Sequence, residues 1–103
     1  MRHGEVRWYT FKAPDKKRPV VILSRTSVLD YLGEVTVAPI TTTIRDIPSE
    51  VHLSMQDNLP RDCAINCDHI QTVAKGKIGA LIATLPPAKL EELRQAVMFS
   101  LEL

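Results

Sequence analysis

The sequence predicts a mainly β domain of the α+β class, in which a small, strongly bent sheet or partly open barrel is capped by one C-terminal helix. Five or six short segments carry β-type patterns, and a single segment near the C-terminus repeats apolar residues at helical spacing. The length of 103 residues suits one domain, residues 1–103, with one modest core.

The first two predicted strands differ in pattern. Residues 6–11 mix β-branched and aromatic side chains in rough alternation, which is typical of a strand. Residues 19–23 form a continuous apolar run that predicts a buried strand, with Pro19 at its first position. Between them, residues 12–17 read as a turn-like loop that contains Pro14 and Asp15.

The middle of the chain predicts shorter elements. Residues 27–32 favour one helical turn, and residues 34–39 alternate as a strand. Residues 50–53, 63–67 and 80–84 are further strands, with a turn at residues 58–60. In the strand at 34–39 the side chains that point one way are those of Val35, Val37 and Pro39, and those that point the other way are Thr36 and Ala38.

The C-terminal segment predicts the one clear helix. Pro86 and Pro87 fix its entry but leave it without an obvious side-chain N-cap. From residue 88 onwards, apolar residues recur three and four positions apart while charged residues face away. The apolar positions are Leu90, Leu93, Val97 and Leu101.

The formal net charge of +1 hides an uneven distribution. Residues 1–25 hold seven basic and two acidic side chains, whereas residues 44–68 hold two basic and five acidic ones. A basic cluster on a nearly neutral protein suggests an anionic partner at that face. A solvated, lysine-rich loop explains the same cluster equally well.

Several classes of protein are disfavoured. No apolar signal segment opens the sequence, and the nearly apolar residues 78–85 are too few to span a bilayer, so we expect a cytoplasmic protein with no membrane partner. Cys63 and Cys67 lack further zinc ligands at suitable spacing, which favours reduced, partly buried thiols over a metal site. The three histidines, His3, His52 and His69, are scattered over separate segments, so we expect no metal and no cofactor.

Two short segments could carry chemistry. Residues 16–18, Lys-Lys-Arg, lead into a buried strand, where lysine and a bidentate arginine fork can hold phosphate. Residues 41–43 are three threonines just beyond another strand, and their hydroxyls can donate to phosphate oxygens. A threonine-rich loop that makes only local backbone hydrogen bonds is the commoner alternative.

The order of several motifs resembles the MazF/PemK (Kid-like) family of toxins. The motifs are HGEVRW at residues 3–8, RPVVILS at 18–24, VTVAPIT at 35–41, LP at 59–60, INCDHIQT at 65–72 and FSLEL at 99–103. The resemblance covers residues 3–103. It implies a barrel related to the SH3 fold, of the kind shared with gyrase-poisoning toxins, assembled as a homodimer.

The resemblance also implies an activity. Such toxins belong to type II toxin–antitoxin systems and cleave single-stranded RNA at short preferred sequences as mRNA interferases, without a metal. By resemblance, Arg18 and Thr41 match the family's active-site arginine and threonine, and Asp68 matches an acidic position that some members use as a base. A cognate, MazE-like antitoxin with an acidic C-terminal tail would inhibit the toxin by competing with RNA at the basic face of residues 16–18.

The residue types agree with cleavage by the 2′-hydroxyl of the substrate, which gives 2′,3′-cyclic phosphate and 5′-hydroxyl ends. Arg18 suits the stabilisation of charge on the phosphate, and Thr41 suits a hydrogen-bond donor. Proton transfer is left open among Asp68, a neighbouring arginine and water. The expected RNA-binding residues are Lys12, Lys16, Lys17, Ser24, Thr42, Thr43 and Asn66.

Two departures from the family pattern leave other functions open. The loop at residues 12–17 is short and lacks the histidine and glutamate usual there, and His69-Ile70-Gln71-Thr72 replaces the usual Gln-Ile-Arg-Thr run, which removes one positive charge. A degenerate member would bind RNA or antitoxin without cutting. A gyrase-directed toxin on the same fold is the other alternative, although that branch carries a tryptophan near its end and the only tryptophan here is Trp8.

Overall fold

The computed structural model describes residues 1–11 and 16–103. Within these residues a mainly antiparallel β structure is followed by one helix, so the predicted fold class is confirmed. The elements are β1 (Glu5–Thr10), β2 (Lys17–Ile22), β3 (Glu34–Thr41), β4 (Glu50–Leu53), β5 (Cys63–Asn66), β6 (Gln71–Ala74), β7 (Ile78–Thr84) and α1 (Pro87–Leu101). Short 3-10 turns lie at Thr26–Val28, Met55–Asp57, Cys67–His69 and Lys75–Lys77.

The strands form one curled antiparallel sheet, a half-barrel, in the order β4-β5-β3-β2-β1-β7. β3 is its centre because it is the longest strand and has neighbours along both edges. One edge pairs with β2, while the other pairs with β6 along its first half and with β5 at its end. The start of β2, the end of β5 and the start of β6 therefore come together beside the second half of β3.

The two faces of β2 and β3 contribute to different cores. Val21 and Ala38 belong to the cluster that also holds Leu93 of α1. Val20 and Val37 belong to a second cluster on the opposite face. Because both faces are buried, β2 reads as a continuous apolar run rather than as an alternating one.

Several predicted element boundaries need correction, and β3 in particular continues to Thr41, which the sequence placed beyond the strand. β2 begins two residues before Pro19, which is tolerated inside the strand because pairing with β3 starts only at Val20. β5 ends at Asn66, whose Oδ1 accepts a hydrogen bond from the Asp68 amide (3.0 Å) and turns Cys67 into the start of a 3-10 turn. Leu101 lies at the exposed end of α1 rather than on its buried stripe.

α1 begins as the sequence predicts. Pro87 occupies its first turn, and Pro86 before it provides no side-chain cap. The helix ends at Glu102, which adopts a left-handed conformation. Among the described residues, no helix is both long and apolar enough to cross a membrane.

Candidate active site

An open groove of about 600 Å³ lies where β2 begins and β3 ends. Its walls come from these two strands, from the loop after β3, and from the segment that joins β5 to β6. Its lining residues are Phe11, Lys16, Arg18, Pro39, Ile40, Thr41, Thr43, Arg45, Asn66, His69 and Gln71. Three of these described side chains are cationic and none is a carboxylate, so the groove suits an anionic ligand.

Arg18 and Thr41 share this groove from neighbouring strands. Val20 pairs with Pro39 in the antiparallel ladder of β2 and β3. Arg18 comes two residues before this pair on β2 and Thr41 two residues after it on β3, so both lie at the same end of the two strands. Thr41 Oγ1 accepts a hydrogen bond from the Thr43 amide (3.1 Å), so its hydroxyl proton is free to donate elsewhere. The local backbone bond expected of a threonine-rich loop thus coexists with a hydroxyl on the groove wall.

Of the other residues in the segments 16–18 and 41–43, some line the groove and some point away from it. Lys16 and Thr43 line the groove. Lys17 is exposed but is not among the lining residues, because neighbours in a strand point to opposite faces. Thr42 lines a different, smaller cavity of about 110 Å³, which shares Thr41 with the groove.

Two further RNA-binding predictions fall outside the groove. Ser24 is six residues from Arg18 along an extended chain, a separation of about 20 Å. Its hydroxyl accepts a hydrogen bond from the Thr36 amide (2.8 Å), which ties the end of β2 to β3. Lys12 lies outside the residues that the structure describes.

Asn66 and Asp68 are linked but face different surroundings. Asn66 is only 4% exposed and lines the groove from the end of β5. The carboxylate of Asp68 accepts a short hydrogen bond from Ser49 Oγ (2.6 Å) and is not among the lining side chains. Asp68 therefore lies beside the groove, and its role as a base stays a prediction.

Arg45 lines the groove although the sequence analysis did not single it out. It lies in the loop between β3 and β4, and that loop is held by Glu50. Glu50 Oε1 accepts hydrogen bonds from the backbone amides of Arg45 (2.9 Å) and Asp46 (3.1 Å). One of only two basic residues in a predominantly acidic segment was the available signal, and spacing alone could not connect Arg45 with Arg18.

Residues 2–101 match the sequence profile of a family described as PemK-like, MazF-like toxin of type II toxin-antitoxin system. The chain belongs to this toxin family.

Similar proteins agree with the assignment. The chain is 38% identical over 101 residues to a Mycobacterium tuberculosis protein named "Probable endoribonuclease MazF2", covering 97% of each chain. It superposes on the structure of the Mycobacterium tuberculosis toxin MazF-mt6 with a TM-score of 0.89 and 32% identity, over 96% of this chain and 97% of that one. A mycobacterial endoribonuclease in complex with its cognate antitoxin gives a TM-score of 0.89 and 25% identity, over 100% and 96% of the two chains.

In this PemK/MazF-type toxin, His69 and Gln71 of the run at residues 69–72 lie on the wall of the groove. Phe11 lines the opposite side and packs edge-to-face on Tyr9, with 4.6 Å between ring centroids. The unusual run at residues 69–72 was the sequence signal for His69 and Gln71, but no pattern in the sequence placed either side chain in the same groove as Arg18.

The two cysteines of the toxin are buried, free thiols, as expected. Burial, and after it the neighbouring Asp68 carboxylate, raises the pKa of the Cys67 thiol to about 11. Burial likewise raises the pKa of Cys63, with smaller contributions from Asp57 and Asp62. Neither thiol is an activated nucleophile. In the described part of the chain no three His, Cys, Asp or Glu side chains are grouped to hold a metal ion.

Proposed function

We propose that this toxin is an endoribonuclease that cuts single-stranded RNA at a short preferred sequence, in the cytoplasm and without a metal. The observation that carries the proposal is the placement of Arg18 and Thr41, from neighbouring strands, in one groove whose other described charged lining residues, Lys16 and Arg45, are also cationic. A polyanionic chain fits such a groove, and related toxins are named endoribonucleases.

The proposed reaction uses the 2′-hydroxyl of the substrate as its nucleophile. The 2′-oxygen attacks the adjacent phosphorus while the bond from phosphorus to the 5′-oxygen breaks, which gives a 2′,3′-cyclic phosphate and a 5′-hydroxyl end. Negative charge builds on the non-bridging oxygens during this step. The guanidinium of Arg18 stabilises that charge, and the hydroxyl of Thr41 donates a hydrogen bond to the same phosphate.

The remaining groove residues are assigned to binding. Lys16 and Arg45 contact phosphates that flank the cut, and Thr43 and Asn66 offer hydrogen bonds to the sugar or to base edges. Phe11 gives one aromatic surface for stacking an unpaired base. These contacts require an RNA whose bases are not already paired.

The proposed partners are a second copy of the chain and an acidic antitoxin. Phe99 and Leu103, which are 61% and 78% exposed, offer apolar surface for a homodimer, and sedimentation of the purified chain as a monomer would contradict it. An acidic antitoxin tail suits the same cationic groove as RNA. Simultaneous tight binding of antitoxin and RNA would contradict that assignment.

The test of the activity is cleavage of RNA by purified protein in the presence of a chelator, with the new ends mapped and weighed by mass spectrometry. We expect a cyclic phosphate at the 3′ end, and no cut where the nucleotide that supplies the 2′-hydroxyl is replaced by its 2′-deoxy analogue. Arg18→Ala and Thr41→Ala should each lower the cleavage rate by roughly 10²–10³-fold, the loss typical of one charge-stabilising donor.

Matched controls are available elsewhere on the surface. Arg25 and Thr84 are exposed residues that do not line the groove, so Arg25→Ala and Thr84→Ala should cut at the wild-type rate. Cleavage at the wild-type rate by both groove variants would refute the site. An absence of cleavage by the wild-type protein would refute the activity.

A further inference from the structure

His69 reaches the groove from the side of β3 opposite to Arg18. It ends the 3-10 turn Cys67–His69 and lies two residues before Gln71, which pairs with Val37 on β3. Arg18 approaches from β2, on the other edge of that strand. The phosphate proposed to lie at the end of β3 would therefore be flanked by a guanidinium on one side and an imidazole on the other.

The turn that carries His69 is fixed on both sides. Cys67 is buried in the core cluster that also holds Leu93, and its amide donates a hydrogen bond to the Ser49 carbonyl (3.0 Å). Asp68 is held by Asn66 and Ser49, and Ile70 packs against the same core. The His69 ring is exposed and makes no hydrogen bond to another described residue. A rigid backbone thus presents a ring whose nitrogens are available to a ligand.

The proposed cleavage needs a proton donor, and the two arginines of the groove, Arg18 and Arg45, do not supply one. The 5′-oxygen leaves as an alkoxide unless a proton reaches it, and guanidinium groups hold their protons too tightly to serve as general acids. Imidazole is the side chain that exchanges a proton near neutral pH. Of the described residues that line the groove, only His69 carries one.

We propose that His69 is the general acid of this toxin, an inference that rests on the proposed function. As the 2′-oxygen bonds to phosphorus, its proton passes to water. The bond to the 5′-oxygen breaks, and that oxygen takes a proton from a ring nitrogen of the imidazolium. His69 becomes neutral and regains a proton from water.

The test separates a proton donor from a merely structural residue by changing the leaving group. The probe is an RNA with the mapped cleavage site in which sulfur replaces the bridging 5′-oxygen, because a thiolate leaves without being protonated. On ordinary RNA we expect His69→Gln and His69→Ala to slow cleavage by roughly 10²–10⁴-fold. On the sulfur-containing RNA both variants should cut at close to the wild-type rate, whereas Arg18→Ala should stay slow on both.

His52→Gln is the matched control, since His52 is an exposed histidine on β4 outside the groove. It should cut both substrates like the wild type, and thermal unfolding midpoints would establish that all variants are folded. If His69→Gln cuts ordinary RNA at the wild-type rate, or is equally impaired on both substrates, the inference is overturned while the ribonuclease activity stands. A wild-type protein that cuts no RNA would overturn both.

Discussion

Asn66 links the groove to the turn that carries His69. Its side chain is almost fully buried, yet it lines the groove and accepts the hydrogen bond that begins the turn before His69. Replacing it with alanine would leave the Asp68 amide without this acceptor. Such a change would alter the position of the histidine without removing any charged group from the site.

Cys67, one residue further on, gives a prediction about chemical reactivity. Because burial and the Asp68 carboxylate raise its pKa to about 11, against 9.0 for an ordinary cysteine, its thiolate at pH 8 is about a hundredfold scarcer. We expect iodoacetamide at this pH to leave Cys67 unmodified in the folded protein and to modify it in urea. Mass spectrometry of tryptic peptides would measure this, and rapid labelling of the folded protein would contradict it.

The sequence could predict which residues carry chemistry better than it could predict which of them lie close together in space. Arg18 and Thr41 stand out as a strand-entry cation and a hydroxyl, and the family resemblance joins them. His69 could not be joined to them in the same way, because the three histidines lie in separate segments and only the pairing of β6 with β3 brings one to the groove. Ser24 lies in a motif with Arg18, but an extended strand carries it too far away.

Among the elements, the loop between β3 and β4 depends on one buried carboxylate. Glu50 Oε1 accepts hydrogen bonds from two backbone amides. Its Oε2 is buried, has no hydrogen-bond partner among the described residues and lies 3.8 Å from a guanidinium nitrogen of Arg45. The carboxylate thereby holds the backbone of Arg45 and of Asp46, which has a positive φ of 57°. Glu50 is a positioning residue for the groove.

We therefore expect Glu50→Ala to release Arg45 and weaken the binding of a non-cleavable, 2′-deoxy-substituted RNA by about fivefold, equivalent to about 1 kcal/mol. Glu50→Gln keeps an oxygen that can accept the same amides and should bind RNA within about twofold of the wild type. Fluorescence anisotropy would compare the two. Wild-type affinity in the alanine variant would show that the loop is held in place by other contacts.

The sequence predicts α1 and every strand except β6. These elements carry enough apolar residues at the right period to be recognised. β6 was missed because Val73 is its one buried side chain, so the pattern of its four residues resembles a loop. β6 is a strand because it pairs with β3, and its own composition does not predict this.

Across the whole molecule, a net charge of +1 coexists with a groove lined by three cations. If each contacts one phosphate, the affinity for single-stranded RNA should fall with salt at a logarithmic slope of about −2, from about −0.7 for each contact. Lys16→Ala should make the slope shallower by about 0.7, whereas Lys17→Ala, which removes the neighbouring lysine outside the groove, should leave it unchanged. Equal effects of the two lysines on titrations against salt would contradict this arrangement.

The sharing of β2 and β3 between two cores and the groove has a consequence for how a cell could escape this toxin. The same two strands carry Val20 and Val37 to one core, Val21 and Ala38 to the other, and Arg18 and Thr41 to their ends. A single base change in the codons for β2 or β3 can therefore destabilise the fold or remove the proposed activity. In cells that survive the toxin, inactivating mutations should be denser in the codons for β2 and β3 than in those for α1, whose outer face is exposed to solvent.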